Sequence, residues 1–335
     1  APPSFDCLLR TCPDSLCHWG ESILVKLLVT GASGFLGRNF LLSLDPSWTV
    51  DAVYLKDNNF PGFLARSGLQ HVSLHRCDLS DAEQVRALAD VLPKRFDTIL
   101  YLAADPAPVT SKADPAAVSM SGPIGFTTLL SSVHSDRLVY LSSGAVYEGL
   151  CGEVGPQLSV APCLPYAVSK LACEACIPSF RDTGYVGGYV TLRLFAAYGR
   201  FEAPRRLSTR LVRWAAGGAR EAFEIHGDGG NLIDMMYVSD VVRGIKKVIA
   251  SEVSDEVVDF ATGKPLSINN FVQRSAEILG VQGAPVRHVG EAAGYQEFVA
   301  SSRRMEKLFD FRPEIPLEQG LLELKEHLIT ADNSQ

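Results

Sequence analysis

Tyr166 and Lys170 lie four residues apart in Tyr166-Ala167-Val168-Ser169-Lys170, with Ser142-Ser143-Gly144-Ala145-Val146-Tyr147 upstream. Four residues make one helical turn, so the phenol and the ammonium can share a helix face. That arrangement could move a proton. A free tyrosine, with a pKa near ~10, is a poor base at neutral pH; each unit of depression stabilises the phenolate by ~1.4 kcal/mol, and a neighbouring ammonium pushes that way. The Tyr–Lys spacing is common by itself, so its meaning depends on what stands around it.

A second stretch, Thr30-Gly31-Ala32-Ser33-Gly34-Phe35-Leu36-Gly37, follows a strand-length apolar run and opens a helical pattern through Phe40 and Leu44. Glycines let the backbone turn tightly and approach a pyrophosphate, which then meets free N–H groups and the positive end of the helix dipole. Such a dinucleotide site also wants an acid at the end of the second strand to accept from ribose hydroxyls. Asp57 stands there, 26 residues after Gly31, with Asn58 behind it. The pattern favours NAD, while the neighbouring Lys56 could meet a 2′-phosphate and leaves NADP open. Asp78-Leu79 follow the third strand, where an adenine-edge contact is expected; the alternative there is a helix N-cap, which Ser80 or Asp81 could serve equally. An oxidised nicotinamide ring near Tyr166 would add to the lysine's effect on the phenol.

These residues need elements to position them. Apolar runs at Ile23–Thr30, Val50–Leu55, His71–Leu74, Thr98–Ala103, Leu138–Ser142 and Tyr189–Phe195 alternate with amphipathic helical stretches. Most are continuously apolar, which suits strands covered on both faces, and the alternation predicts an α/β fold with a doubly wound parallel sheet. The texture changes after Phe195, where helical segments at Ser267–Leu279, Arg303–Phe309 and Leu317–His327 are separated by Gly/Pro turns. The predicted organisation is an extension over 1–22, a dinucleotide-binding domain over 23–195 to which part of 225–262 returns, and a smaller C-terminal α/β substrate domain from 196–224 and 263–330.

Composition narrows the function classes. The 335 residues carry 31 basic and 38 acidic side chains, a formal charge of −7, with 47% hydrophobic and 21% charged residues, which is globular and not disordered. No Lys/Arg cluster exceeds pairs such as Arg205-Arg206 and Lys246-Lys247, so nucleic acid is not an expected partner. No apolar run reaches the ~20 residues of a membrane span. Residues 1–22 lack the basic start and apolar stretch of a secretory signal; a poorly ordered extension and a cytoplasmic location are expected. Of eight cysteines, Cys173 and Cys176 form a C-x-x-C without a second pair, so idle thiols are expected and no metal site. His226 reads as a loop histidine, and Trp214 and Phe223 read as packing residues.

Taken together the motifs resemble those of the extended short-chain dehydrogenase/reductase family, the nucleotide-sugar epimerases, dehydratases and reductases. The likeness runs from Lys26 to Glu323 and includes Tyr101-Leu102-Ala103-Ala104, Leu192-Arg193 with Tyr198-Gly199, Gly227-Asp228-Gly229 with Asp234 and Tyr237-Val238-Ser239-Asp240-Val241, and Phe311-Arg312-Pro313 with Leu317 to Leu321. The resemblance implies that Tyr166 takes a sugar hydroxyl proton as hydride passes to nicotinamide, that Ser143 bonds the same oxygen, and that Lys170 holds the ribose. It also adds Leu102, Ala103, Ala104, Ser142 and Phe195 to the cofactor contacts. Return of hydride to the other face of the sugar gives epimerisation, C4 being the expected carbon. Reduction of a keto-sugar is the alternative, and a non-catalytic cofactor-binding protein is a third reading.

Family dehydratases place an Asp-Glu pair directly behind the Ser143 position, whereas Gly144-Ala145 cannot move a proton, so elimination is disfavoured. Three departures touch the substrate's diphosphate: Ala196 replaces a usual Asn, Ile233 a usual Arg, and Glu291-Ala292 fall near a second expected Arg. A diphosphate needs cationic or N–H partners, so either Arg205, Arg206 or Arg210 supplies them or the substrate carries none. Gly122, in place of a usual Asn, has no evident role. The family's paired-helix dimers imply a homodimer through helices at 112–134 and 166–181.

Overall fold

The computed structural model describes residues 25–104, 115–291 and 297–332. The extension expected over 1–22 lies outside them. Strands β1 (Lys26–Thr30), β2 (Thr49–Tyr54), β3 (Ser73–Arg76), β4 (Arg95–Tyr101), β5 (His134–Ser143) and β7 (Tyr189–Leu194) fall on the six predicted runs, with ends shifted by up to four residues. Leu27, Leu28 and Val29 are all fully buried, as continuous apolar strands require when helices cover both faces. With β12 (Glu256–Phe260), the sheet has seven strands in the order β12-β7-β5-β4-β1-β2-β3, and every pairing in it is parallel. β12 is the added strand; the chain returns to the sheet edge after the second region has begun. Because all seven strands run one way, their carboxyl ends share one edge, where a doubly wound sheet holds its ligand.

One face of the sheet packs on α1 (Phe35–Leu41), α7 (Val238–Ile249) and α9 (Arg303–Phe309), through Phe40, Val241, Ile245, Met305 and Phe309. In α7, Val238, Val241, Val242, Ile245 and Val248 are buried at spacings of three and four, one apolar stripe laid on the sheet. The other face packs on α3 (Ala82–Val91), α4 (Pro115–Ser132) and α5 (Pro165–Asp182), through Val85, Leu88, Phe126, Leu130, Cys173 and Ile177. Gly122 of α4 faces Ser169 of α5: a Cβ there would stand 2.4 Å from Ser169 Oγ, so a larger residue requires that hydroxyl to turn away.

The second region has its own core, formed by α6 (Leu207–Ala216), β9 (Phe223–His226), β11 (Met235–Tyr237), α8 (Ile268–Ile278) and α10 (Leu317–Asp332). Trp214 and Phe223 meet edge-on there with centroids 5.4 Å apart. A short strand β6 (Cys151–Val154), before the predicted boundary at 195, pairs with β15 (Glu297–Ala300) and ties the two regions together. The described residues hold no helix long and apolar enough to cross a membrane and no metal-binding group of His, Cys, Asp and Glu.

Candidate active site

The glycine turn connects β1 to α1. Gly31 has φ +68°, a left-handed backbone that disfavours a side chain, and a Cβ on it would come 2.9 Å from the Ala103 nitrogen. Gly37 is held at closer range: a Cβ would meet the Gly31 and Ala32 carbonyl oxygens at 2.5 and 2.6 Å. Gly34 is the N-cap of α1 and no side chain caps it, so Phe35 and Leu36 present first-turn N–H groups to the space ahead of the helix. Ser33 lies in the turn itself and gives its carbonyl to Arg38 Nε at 3.0 Å. This cradle fits a dinucleotide pyrophosphate.

The remaining predicted cofactor residues follow the ends of neighbouring strands. Asp57 and Asn58 follow β2, Asp78 and Leu79 follow β3, and Leu102, Ala103 and Ala104 follow β4, with Ala103 N donating to Thr30 Oγ1 at 3.2 Å. Asp57 accepts from Asn59 N at 2.9 Å and forms an ion pair with Arg38. Arg38 was not singled out from the sequence; its guanidinium lies 4.3 Å over the Phe63 ring and 5.3 Å over Phe60. The carboxylate of Asp78 accepts from Ser80 N and Oγ at 2.9 and 2.6 Å, while Asp81 caps α3.

Ser142 and Ser143 end β5. The Ser143 hydroxyl oxygen accepts from Ala145 N at 3.1 Å, which leaves its hydrogen to donate outward. Tyr166 stands half-buried at the second position of α5, and Lys170 is buried one turn later. The Lys170 ammonium donates to the Leu141 carbonyl at 2.6 Å and sits 5.0 Å from the centre of the Tyr140 ring. Burial pulls its pKa down to about 8, against the opposing pull of Cys173 and Glu174. Phe195 follows β7 and lies against Gly144, where a Cβ would come 2.9 Å from the phenyl ring. A side chain at 144 would therefore displace Phe195 from its packing with Tyr147 and Phe298.

Behind these residues runs a buried polar chain that sequence reading missed. Ser142 Oγ donates to Glu174, Arg193 Nη2 donates to the same carboxylate at 2.7 Å, Arg193 Nη1 donates to Tyr147 Oη at 2.9 Å, and Tyr147 donates to Asp259 at 2.7 Å. The Ser142 hydroxyl thus points inward, and only its backbone can face a cofactor. Burial pushes the Asp259 carboxyl up to about 6, although the Tyr147 hydrogen bond and Arg193 oppose the shift. The available signals were a lone Arg in an apolar strand and a Glu one turn past Lys170.

A dinucleotide cradle, a serine at a strand end and a Tyr–Lys pair one turn apart converge on a single sheet edge. The model of the NAD dependent epimerase/dehydratase family matches residues 27–260. The chain belongs to this family. It is an NAD-dependent enzyme of the extended short-chain dehydrogenase/reductase type. It is similar to the UDP-glucuronate 4-epimerase of Thermodesulfobacterium geofontis, 24% identical over 88% of this chain and 93% of that protein. It is likewise similar to the dTDP-glucose 4,6-dehydratase of Streptomyces niveus, 25% identical over 90% of this chain and 92% of that one. In fold it matches the structure of UDP-glucose 4-epimerase from Thermotoga maritima with UDP-glucose, with a TM-score of 0.80 and 21% identity over 91% of this chain and 99% of that one. Both epimerases and dehydratases stand among the relatives of this family member, so the choice between reactions falls to its own residues.

Of the positions that depart from the family pattern, Ala196 and Ile233 are apolar, Glu291 is an exposed carboxylate, and Ala292 lies outside the described residues. Ala196 pairs with Met235 between β8 (Ala196–Tyr198) and β11, and Ile233 pairs with Leu266 between β10 (Leu232–Ile233) and β13 (Leu266–Ser267). Arg210 is turned to the Glu224 carbonyl at 3.2 Å and the Phe223 ring at 5.1 Å.

Proposed function

We propose that the chain is an NAD-dependent sugar epimerase that transiently oxidises a nucleotide-linked sugar, with C4 as the reacting carbon. The observation that carries this reading is the pairing of Ser143, Tyr166 and Lys170 with a residue behind Ser143 that has no side chain and no room for one. Elimination of water needs an acid and a base beside the oxidised carbon; Gly144 and Ala145 supply neither, and Glu174 and Asp259 are buried and already bonded. NAD, when bound, supplies the acceptor and later the donor of hydride. Tyr166 Oη takes the sugar hydroxyl proton and returns it, and the Ser143 hydroxyl donates to the same oxygen. Lys170 holds the cofactor ribose and favours the phenolate by its charge. Gly31, Ser33, Gly34, Phe35, Leu36 and Gly37 hold the pyrophosphate, and Asp57 and Asn58 face the adenosine ribose. Asp78 and Leu79 stand at the adenine edge, and Leu102, Ala103, Ala104, Phe195 and the Ser142 backbone line the cofactor's path.

Denaturing the purified protein is expected to release NAD, and a screen of UDP-, GDP-, CDP- and dTDP-sugars is expected to find one that binds and epimerises without net cofactor use. Turnover that requires added NAD(P)H would instead make the chain a keto-sugar reductase. The apolar side chains of Ala196 and Ile233, which offer a phosphate no donor or charge, favour a second reading of the substrate as a sugar without a diphosphate. NAD release with no nucleotide sugar bound would support that reading.

We further infer a homodimer through α4 and α5, on which Ile124 and Val168 are 40% and 37% exposed. Light scattering is expected to give twice the chain mass, and Ile124→Glu with Val168→Glu to give a folded monomer. A wild-type monomer would overturn the dimer.

A further inference from the structure

The buried Glu174 has no part in the chemistry proposed above, yet it touches two of the elements that carry that chemistry and stands on the third. It lies one turn after Lys170 on α5, and its side chain and that of Arg193 are each only 6% exposed. One carboxylate oxygen receives the hydroxyl of Ser142, the residue before Ser143 on β5. Both oxygens receive Arg193 of β7, with Nε at 3.1 and 3.2 Å and Nη2 at 2.7 Å. The same stretch of β5 receives Lys170 through the Leu141 carbonyl. Two adjacent residues of one strand are therefore fastened to two successive turns of one helix, one bond through the ammonium and one through the carboxylate.

We propose that Glu174 is a positioning residue, which locks the Ser143-bearing end of β5 to the helix bearing Tyr166 and Lys170 and supplies the buried negative charge that Lys170 faces. Arg193 holds the carboxylate in that orientation by its paired N–H donors and is itself braced by Tyr147 and Asp259. The groups around Lys170 leave Glu174 this role. β5 offers the Leu141 carbonyl and the Tyr140 ring; α5 offers Tyr166, Cys173 and Glu174; β7 offers Arg193, already turned to Glu174; and residues 122–132 of α4 include no ionisable side chain. The Cys173 thiol is itself pushed up to about 11 by burial, so it is neutral at physiological pH.

The inference rests on the reading of Lys170 as a cofactor-holding residue, and NADH binding tests it without any sugar substrate. NADH fluorescence titrations across pH are expected to weaken for the wild type as pH rises through about 8, where the ammonium is lost. Glu174→Gln is expected to move this fall about one pH unit lower, and so to bind NADH about tenfold more weakly above it. Glu174→Asp keeps the charge and shortens the reach; it is expected to restore the pH position but not the affinity. Ser142→Ala keeps the charge and removes the strand link, with an expected loss of about threefold and no pH shift. A folded Glu174→Gln variant with the wild-type profile would overturn the proposal. If that variant does not fold, wild-type binding by both Glu174→Asp and Ser142→Ala overturns it. Absence of NADH binding by the wild type would remove the Lys170 reading first, and this inference with it.

Discussion

Tyr166→Phe is expected to lower turnover by roughly 10²- to 10⁴-fold, the usual worth of a positioned proton carrier, while leaving NADH affinity within about twofold. The substitution removes one oxygen and keeps the ring, so the packing of α5 on the sheet is preserved. Tyr166 is half-buried at the start of the helix, and the phenyl ring can stay where the phenol ring was. The comparison uses stopped-flow turnover on the sugar nucleotide that the binding screen selects, alongside fluorescence titration with NADH. A fall in kcat with little change in KM would place the lost interaction in the transition state and not in ground-state binding. Turnover at the wild-type rate would remove Tyr166 from the mechanism, and with it the basis for calling Ser143 and Lys170 its partners. A parallel loss of NADH binding would mean that the phenol oxygen serves the cofactor instead of the sugar.

The sequence made the sheet legible because its strands are buried on both faces and therefore read as continuous apolar runs. It made the glycine turn legible because spacing alone places Gly31, Gly34 and Gly37 between a strand and a helix. What stayed hidden depends on residues far apart in the chain. β12 carries Glu256 and Asp259 within its five residues, so the return of part of 225–262 to this domain is expected but only the pairing with β7 marks where the seventh strand lies. The link from Ser142 to Glu174 spans 32 residues and that from Tyr147 to Asp259 spans 112, and no local pattern announces either. Gly122 is a further case. Nothing in the sequence around it shows that Ser169 of α5 stands against it. The ion pair of Asp57 with Arg38 is of the same kind: its place after β2 marks the acid, but no local pattern marks its partner on α1.

Gly37→Ala is expected to weaken NADH binding at least tenfold and to lower the melting temperature by several degrees, from about 1–3 kcal/mol of overpacking. The added methyl would meet the Gly31 oxygen at 2.5 Å, the Ala32 oxygen at 2.6 Å and the Ala32 carbonyl carbon at 2.7 Å. All three are backbone atoms and cannot swing aside as a side-chain tip can. Relief requires α1 to move away from the turn, which carries the first-turn N–H groups away from the pyrophosphate position. The loss of binding should therefore be large for one methyl group. Gly62→Ala is the matched control. Gly62 lies inside α2 (Phe60–Arg66), and its new methyl would meet only the flexible Arg66 guanidinium, at 3.2 Å. That variant should bind NADH normally and gain about 0.5–1 kcal/mol from helix propensity. Calorimetry and NADH titration of both variants separate the two effects. Normal binding by Gly37→Ala would mean that the cradle yields without moving the N–H groups, and the pyrophosphate would then have to be held elsewhere along the sheet edge.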